Sequence, residues 1–268
     1  MNFSEYMKFT RQKGNRFFTI RQVQEDLGLP YAAIKSAINR QKQHGNLISP
    51  AKGLYVIVPP EYQPNGSIPA EQLVPILMKY LQSDYYVSLL SGALYYGATH
   101  QKPSRFQIIT NKRIRHPLKF GKVIIEVIYK KSLNGLPLLD KNVTTGYLKL
   151  GSPELIAIDL LKYSVKSGGL NHIATVLSEL VESMDAIKLI NIAKITGEKS
   201  YLQRLGYILE QIDTFENEKK DAIVTALENY LNQQTASFTP LAPEIPRKGY
   251  PRNKKWMLIL NTNIESDL

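Results

Sequence analysis

The chain has 268 residues, of which 43% are hydrophobic and none is cysteine. That length suits one large or two modest domains with a real core. The lack of cysteine excludes disulfides and thiolate metal sites and fits a reducing compartment. The net charge of +11 is unevenly spread: +5 over residues 1–69, +8 over 70–150, −4 over 151–235 and +2 over 236–268. Excess positive charge draws a polyanion through counterion release, so the portion before residue 151 is expected to face nucleic acid. The first residues carry no apolar h-region, which argues against a signal peptide. No apolar run approaches the roughly 20 residues needed to span a bilayer. A cytoplasmic protein with no membrane partner is the expectation.

In chain order, Phe3, Tyr6, Met7 and Thr10 recur at helical spacing and predict a helix over residues 2–13, broken by Gly14-Asn15. Thr19 is a good N-cap, and Ile20, Val23 and Leu27 then fall on one stripe. Gly28 ends that helix as an αL cap would. Pro30 presets the first turn of the next helix, which turns Ile34, Ala37 and Ile38 inward and stops at His44-Gly45. Leu47-Ile48-Ser49 and Leu54 to Val58 read as a two-stranded ribbon around Pro50-Ala51-Lys52-Gly53. Helix, tight turn, helix and hairpin is the order of a winged helix-turn-helix, whose second helix enters the DNA major groove. The groove side would be what the core does not use: Tyr31, Ala32, Lys35, Ser36, Asn39 and Arg40. Asparagine can read adenine and arginine guanine. Lys52 at the wing tip and Arg21 in the preceding helix are placed for phosphate. The plainer alternative is a helical hairpin with a solvated polar face; the agreement of caps, turn and hairpin favours DNA.

Residues 59–69 hold four prolines and can form neither a helix nor a central strand, so 61–69 is read as a semi-rigid linker after a 1–60 DNA-binding domain. A helix over 70–81 (Leu73, Ile76, Leu77, Tyr80) opens the second domain. The stretch Tyr86 to Gly97 is apolar almost all round and predicts a buried helix, with Ser88, Ser91, Gly92 and Ala93 permitting close backbone approach. Runs 106–110, 123–129 and 145–150 predict a small sheet. Lys102, Arg105, Lys112, Arg113, Arg115, His116, Lys119, Lys122, Lys130 and Lys131 crowd on and between the first two runs with one acid among them. That density suggests a second nucleic-acid surface, the alternative being an exposed hairpin of solubilising charge.

From Ser152 the chain reads as helix. Ser152-Pro153-Glu154 is a start signal, followed by an amphipathic pattern in Leu155, Ile158, Asp159, Leu161 and Lys162 that Gly168-Gly169 ends. Helices at about 170–183, 185–196, 199–213 and 217–232 then predict a bundle over 151–234. The tail has an extended basic arm and an apolar strand at 254–262 carrying Trp256, which is expected to join the sheet of residues 106–150, since an open edge invites pairing. The fold class expected is α+β: a winged helix-turn-helix, then a mixed α/β domain over 70–268.

Catalytic signatures are lacking. His44, His100, His116 and His172 are scattered, and no zincin, nucleophile-elbow, P-loop or Rossmann pattern occurs. Gly151-Ser152 with Asp159 faintly suggests a nucleotidyltransferase metal site. That chemistry needs paired carboxylates, and Leu161 stands where the second would be. No metal, cofactor or catalytic residue is expected.

Taken together, Gly45-x-Leu47, Lys52-Gly53-x-Tyr55-Val56, the Pro-rich exit, Ser152-Pro153-Glu154-Leu155, Arg204-Leu205-Gly206-Tyr207-Ile208-Leu209-Glu210 and the Trp256 strand with Asn261 resemble the AbiEi-type antitoxins over nearly the whole chain. One departure is Gln41, where that family usually has leucine. The resemblance implies a non-enzymatic autorepressor and antitoxin of a bacterial type IV toxin–antitoxin (abortive infection) system. It would bind inverted repeats in its own promoter and counter a nucleotidyltransferase-like toxin without needing a stable complex. Within the motif Arg204, Gly206 and Tyr207, a structural role is expected, with Arg204 pairing an acid of that region and Gly206 admitting a neighbouring helix. The other classes to weigh are a nucleic-acid-processing enzyme with a winged-helix targeting module, and a protein-interaction scaffold.

Overall fold

The computed structural model describes residues 1–99, 101–235 and 237–264; His100, Ala236 and residues 265–268 lie outside the described residues. The protein is mixed α+β, with small sheets and several helices. It divides into two compact units, Met1–Tyr85 with Ser104–Ser132 and Asp140–Lys149, and Tyr86–Pro103 with Leu133–Leu139 and Leu150–Leu268.

The first unit opens with α1 (Phe3–Gln12), whose N-cap Asn2 and Glu5 each accept from the other's backbone amide. This reciprocal pairing satisfies two otherwise orphaned donors. Next come β1 (Phe17–Thr19), α2 (Ile20–Leu27), α3 (Tyr31–Gln43), β2 (Leu47–Ala51) and β3 (Leu54–Ile57). Thr19 caps α2 in the same reciprocal way with Gln22, and Gly28 closes it at φ 62°. Pro30 stands one position earlier than expected, as the N-cap of α3. Val23, Ile34, Ile38, Phe18, Leu47 and Ile57 share a core with the Phe3, Tyr6 and Met7 face of α1.

The expected two-stranded ribbon has a third member. β1 pairs with β3 from Phe17↔Val56 to Thr19↔Leu54, giving the order β1-β3-β2. Three residues are too few to show alternation in sequence. Pairing with β3 makes that strand, and it carries Phe18 into the core at 1% exposure.

Tyr6 donates to Asp26 at 3.0 Å, and burial together with that carboxylate pushes the phenol up to about 12. A raised folded-state value favours the neutral phenol, so this contribution is complete below the unfolded value near 10 and lost as pH rises toward about 12. In alkaline denaturation series, Tyr6→Phe is expected to show a shallower loss of stability across that window than the parent chain.

After the 3-10 turn Pro60–Asn65, α4 (Ala70–Tyr80) buries Leu73, Ile76 and Leu77. The turn is pinned to the neighbouring hairpin: Lys122 N donates to the Asn65 carbonyl at 2.8 Å. Gly121 permits this, because a Cβ there would sit 2.2 Å from that carbonyl oxygen. The larger sheet has the order β6-β7-β5-β4-β9-β8, with β4 at Tyr85–Val87, β5 at Phe106–Thr110, β6 at Leu118–Phe120, β7 at Val123–Tyr129, β8 at Leu138–Val143 and β9 at Gly146–Gly151. β5 and β7 run parallel, while β6 turns back on β7 antiparallel.

The stretch expected as one buried helix from Tyr86 to Gly97 is divided. Tyr85–Val87 is β4, only Leu89–Ala93 is α-helical (α5), and a 3-10 turn runs to Tyr96. A fully apolar run carries no period, so a buried strand and a buried helix look alike in sequence. The close approach expected at Gly92 is present, since a Cβ there would meet Ile156 Cδ1 at 2.7 Å.

The second unit contains α6 (Pro153–Lys162), α7 (Gly169–Leu180), α8 (Ala186–Thr196), α9 (Lys199–Gln211) and α10 (Asn217–Asn232). Ser152 caps α6 through the Leu155 amide. α6 is not the amphipathic helix its pattern suggested: every residue from Pro153 to Leu161 is buried. Glu154 there accepts from Asp185 N at 2.9 Å, tying the start of α6 to the start of α8. In the tail, β10 (Thr239–Pro240), β11 (Arg252–Asn253) and β12 (Leu258–Ile259) form their own sheet in the order β10-β12-β11. The strand expected over 254–262 is thus confined to Leu258–Ile259, with Trp256 in the turn between β11 and β12, and it does not extend the 106–150 sheet. Its partners come from the same tail, which keeps the closing loops short. No described helix is long and apolar enough to cross a membrane.

Candidate nucleic-acid interface and antitoxin-domain motif

α3 has two contrasting sides. Ile34 and Ile38 are buried, at 0% and 1% exposure, whereas Tyr31, Ala32, Lys35, Ser36, Asn39 and Arg40 are all exposed. The side chains of Lys35, Ser36, Asn39 and Arg40 make no hydrogen bond or ion pair among the described residues. The helix starts without a side-chain cap; the Ala33 and Ile34 amides donate to the Pro30 carbonyl at 3.0 and 3.2 Å. Gln41, the departure from leucine, turns the other way. It accepts from Asn46 Nδ2 at 2.7 Å, and Asn46 in turn accepts from Gln63 at 2.8 Å. A polar chain of side chains thus fills the place an apolar contact would take.

Lys52 is exposed at the β2–β3 turn, and its carbonyl accepts from Tyr80 Oη at 2.8 Å. Gly53 at φ 84° makes room, since a Cβ there would stand 3.0 Å from that hydroxyl. Arg21 lies along its own helix to Glu25 at 2.8 Å, both side chains well exposed. An exposed i, i+4 pair of this kind is weakly held.

The basic cluster around β5–β7 is partly consumed by the fold. Arg105 approaches Glu126 at 3.9 Å, Lys112 Nζ donates to the Leu81 carbonyl at 3.2 Å, and Arg113 lies over the Tyr129 ring at 4.8 Å. Arg115, Lys119 and Lys122 remain exposed. Lys102 falls in the second unit, while the others fall in the first.

The Arg204-Leu205-Gly206-Tyr207 stretch lies in α9 and holds the tail. Gly206 carries the Trp256 ring, not a neighbouring helix: a Cβ at Gly206 would be 2.1 Å from Trp256 Cζ3. Trp256 Nε1 donates to Glu210 Oε2 at 2.5 Å, one turn further along. Lys255 adds ion pairs to Glu210 and Glu228. Arg204 is buried and donates to the Pro240 carbonyl at 3.0 Å, with its guanidinium over the Tyr201 ring at 5.2 Å. Its hydrogen bond goes to a backbone carbonyl, while the acid Glu244 acts on it through charge alone, and burial, the larger effect, draws the guanidinium below its ordinary pKa. Tyr207 is half-buried, and burial, then Glu210, raises its phenol. Asn261 completes the arrangement. Its side chain accepts from Ala242 N at 3.0 Å and donates to Ala242 O at 2.8 Å, imitating a strand partner.

Asp159 has a role that sequence reasoning missed. It is fully buried and accepts from Tyr86 Oη at 2.7 Å and Ser88 Oγ at 2.9 Å. Both donors sit at the β4–α5 junction, far away in sequence, so no local pattern announces them. Among the described residues no group of three or more His, Cys, Asp or Glu is arranged to hold a metal ion.

Residues 86–211 match the family model of the AbiEi antitoxin C-terminal domain. This part of the chain belongs to the AbiEi-type antitoxin family. The AbiEi match supports a toxin–antitoxin role and implies a toxin partner. It begins at Tyr86, within β4, and reaches Gln211 at the end of α9. It therefore includes Asp159, both of its hydroxyl donors and the Arg-Leu-Gly-Tyr stretch. Among solved structures, the RV2827C protein of Mycobacterium tuberculosis is similar with a TM-score of 0.67 at 16% identity, over 96% of this chain and 90% of that one. At that identity the likeness concerns fold alone. An antigenic nucleotidyltransferase-like protein of Paracoccidioides brasiliensis aligns with a TM-score of 0.31 at 12% identity, over 55% of this chain and 93% of that one, and carries no argument. No curated protein matches the chain.

Proposed function

We propose that residues 1–60 are a winged helix-turn-helix whose α3 enters the major groove of double-stranded DNA. In this reading the protein is a non-enzymatic autorepressor and antitoxin of a bacterial type IV system, acting in the cytoplasm. Residues 70–268, beyond the 61–69 segment, form its antitoxin part and counter a nucleotidyltransferase-like toxin without a stable complex. The observation that carries the DNA half is the outward face of α3. Lys35, Ser36, Asn39 and Arg40 stand exposed and unengaged on a helix whose other side is core, in a chain that carries an AbiEi antitoxin domain. Asn39 and Arg40 would read base edges, with Tyr31, Lys35 and Ser36 beside them. Arg21 and Lys52 would take phosphates, which position the duplex without reading it. Arg115, Lys119 and Lys122, with Arg105, Lys112 and Arg113 in support, would form a second nucleic-acid surface within the first unit.

Gel retardation on inverted repeats from the protein's own promoter tests this. Each base contact contributes about 1–3 kcal/mol of discrimination. The Asn39→Ala, Arg40→Ala double variant is therefore expected to lose specific affinity by about thirtyfold or more. Lys52→Ala, at a position assigned to phosphate, should weaken all sequences alike and flatten the salt dependence. Operator binding by the double variant at parental strength would remove α3 from the groove.

A further inference from the structure

Lys8 and Arg11 stand three positions apart on α1, a spacing that sets two positive charges side by side. Neither side chain has a hydrogen bond or ion pair among the described residues. With Arg16 they line an open cleft of about 760 Å³ within the first unit. Its walls include Gln12, Ile57, Pro59 and Thr144, and Glu61 is the one acid lining it. Arg16 is held in place by a hydrogen bond to Gln72 at 3.1 Å. A second hollow of about 300 Å³ shares Lys8, Arg11 and Ile57 and reaches Gln41 and Gln63.

At 100° per residue, Gln41 lies on the side of α3 away from Lys35, Ser36 and Asn39. A duplex on that outward face would leave the cleft open. The cleft's size suits a small molecule. Its charge is lopsided: cations on the α1 side, and a narrow apolar strip where the otherwise buried Ile57 and Pro59 line it. The matching ligand is strongly anionic at one end and flat and weakly polar at the other.

We propose that this cleft binds a nucleoside polyphosphate, with the phosphate chain across Lys8, Arg11 and Arg16 and the base against Ile57 and Pro59. Charge-assisted hydrogen bonds to phosphate are the strong ones, and arginine offers them in pairs. Gln12 and Thr144 supply polar groups for the base edge or ribose. The assignment is independent of the groove reading of α3.

The test is titration of the full chain with a fluorescent N-methylanthraniloyl-ATP, using ATP, tripolyphosphate and adenosine as competitors. Saturable binding is expected, reversed by ATP, less effectively by tripolyphosphate and not by adenosine. The Lys8→Gln, Arg11→Gln variant changes only exposed side chains. With an unchanged circular dichroism spectrum, it should bind about tenfold more weakly or worse, while Lys35→Ala binds as the parent does. Lack of saturable binding, or unaltered affinity in the Lys8/Arg11 variant, overturns the proposal. Equal displacement by tripolyphosphate and ATP overturns the base-stacking half and makes the ligand an inorganic polyphosphate.

Discussion

Gly206→Ala should cost the protein about 3 kcal/mol or more, although alanine is the better helix former by about 1 kcal/mol. The new methyl would need space already taken by the Trp256 ring, 2.1 Å from Cζ3. Either α9 shifts, or the ring leaves and carries Lys255 and the tail sheet with it. Trp256 is 1% exposed, and its removal in Trp256→Ala should cost about 3–5 kcal/mol. The two losses should not add in the double variant, because each breaks the same contact. Urea denaturation followed by circular dichroism checks both. A Gly206→Ala protein more stable than the parent would show that the ring does not rest on that position.

Asp159→Ala is expected to be comparably severe. It would take the shared acceptor from the hydroxyls of Tyr86 and Ser88, both 0% exposed, and losing a buried hydrogen bond in this way costs about 1–3 kcal/mol. Two such bonds and a small void bring the loss to about 3–5 kcal/mol, a large part of a typical domain's 5–15 kcal/mol. The next residue, Leu89, holds φ at 53° although it is not glycine, a conformation that persists only where its surroundings enforce it. Asp159→Asn keeps an acceptor and should lose less. Tyr86→Phe combined with Asp159→Ala should lose less than the sum, because both changes break the same hydrogen bond. Should Asp159→Ala melt with the parent, the carboxylate is not what holds this junction.

Local chemistry was legible in the sequence, and distant pairing was not. Thr19, Gly28, the His44-Gly45 stop and Ser152 act within a few residues of themselves, so their side chains declare their roles. The exposed face of α3 could be read because Ile34 and Ile38 set the helix phase. β1 and β4 could not: each has three residues, and both exist because of partners far along the chain. α6 looked amphipathic because Glu154 and Asp159 are charged, yet both are buried with donors from other elements. The Arg204 to Tyr207 stretch stood out as a motif. That Gly206 receives an indole, and Arg204 a carbonyl, depends on residues 36 to 50 positions onward, which spacing cannot disclose.

The chain has a single tryptophan, and its indole is pressed on Gly206 with its N–H on Glu210. Intrinsic emission excited at the red edge therefore reports on one place, the seat of the tail on α9. Release of the tail would hydrate the ring and shift its emission to longer wavelength, even with the helices intact. The protein thus carries its own spectroscopic gauge of whether a toxin, a duplex or a small ligand loosens that seat.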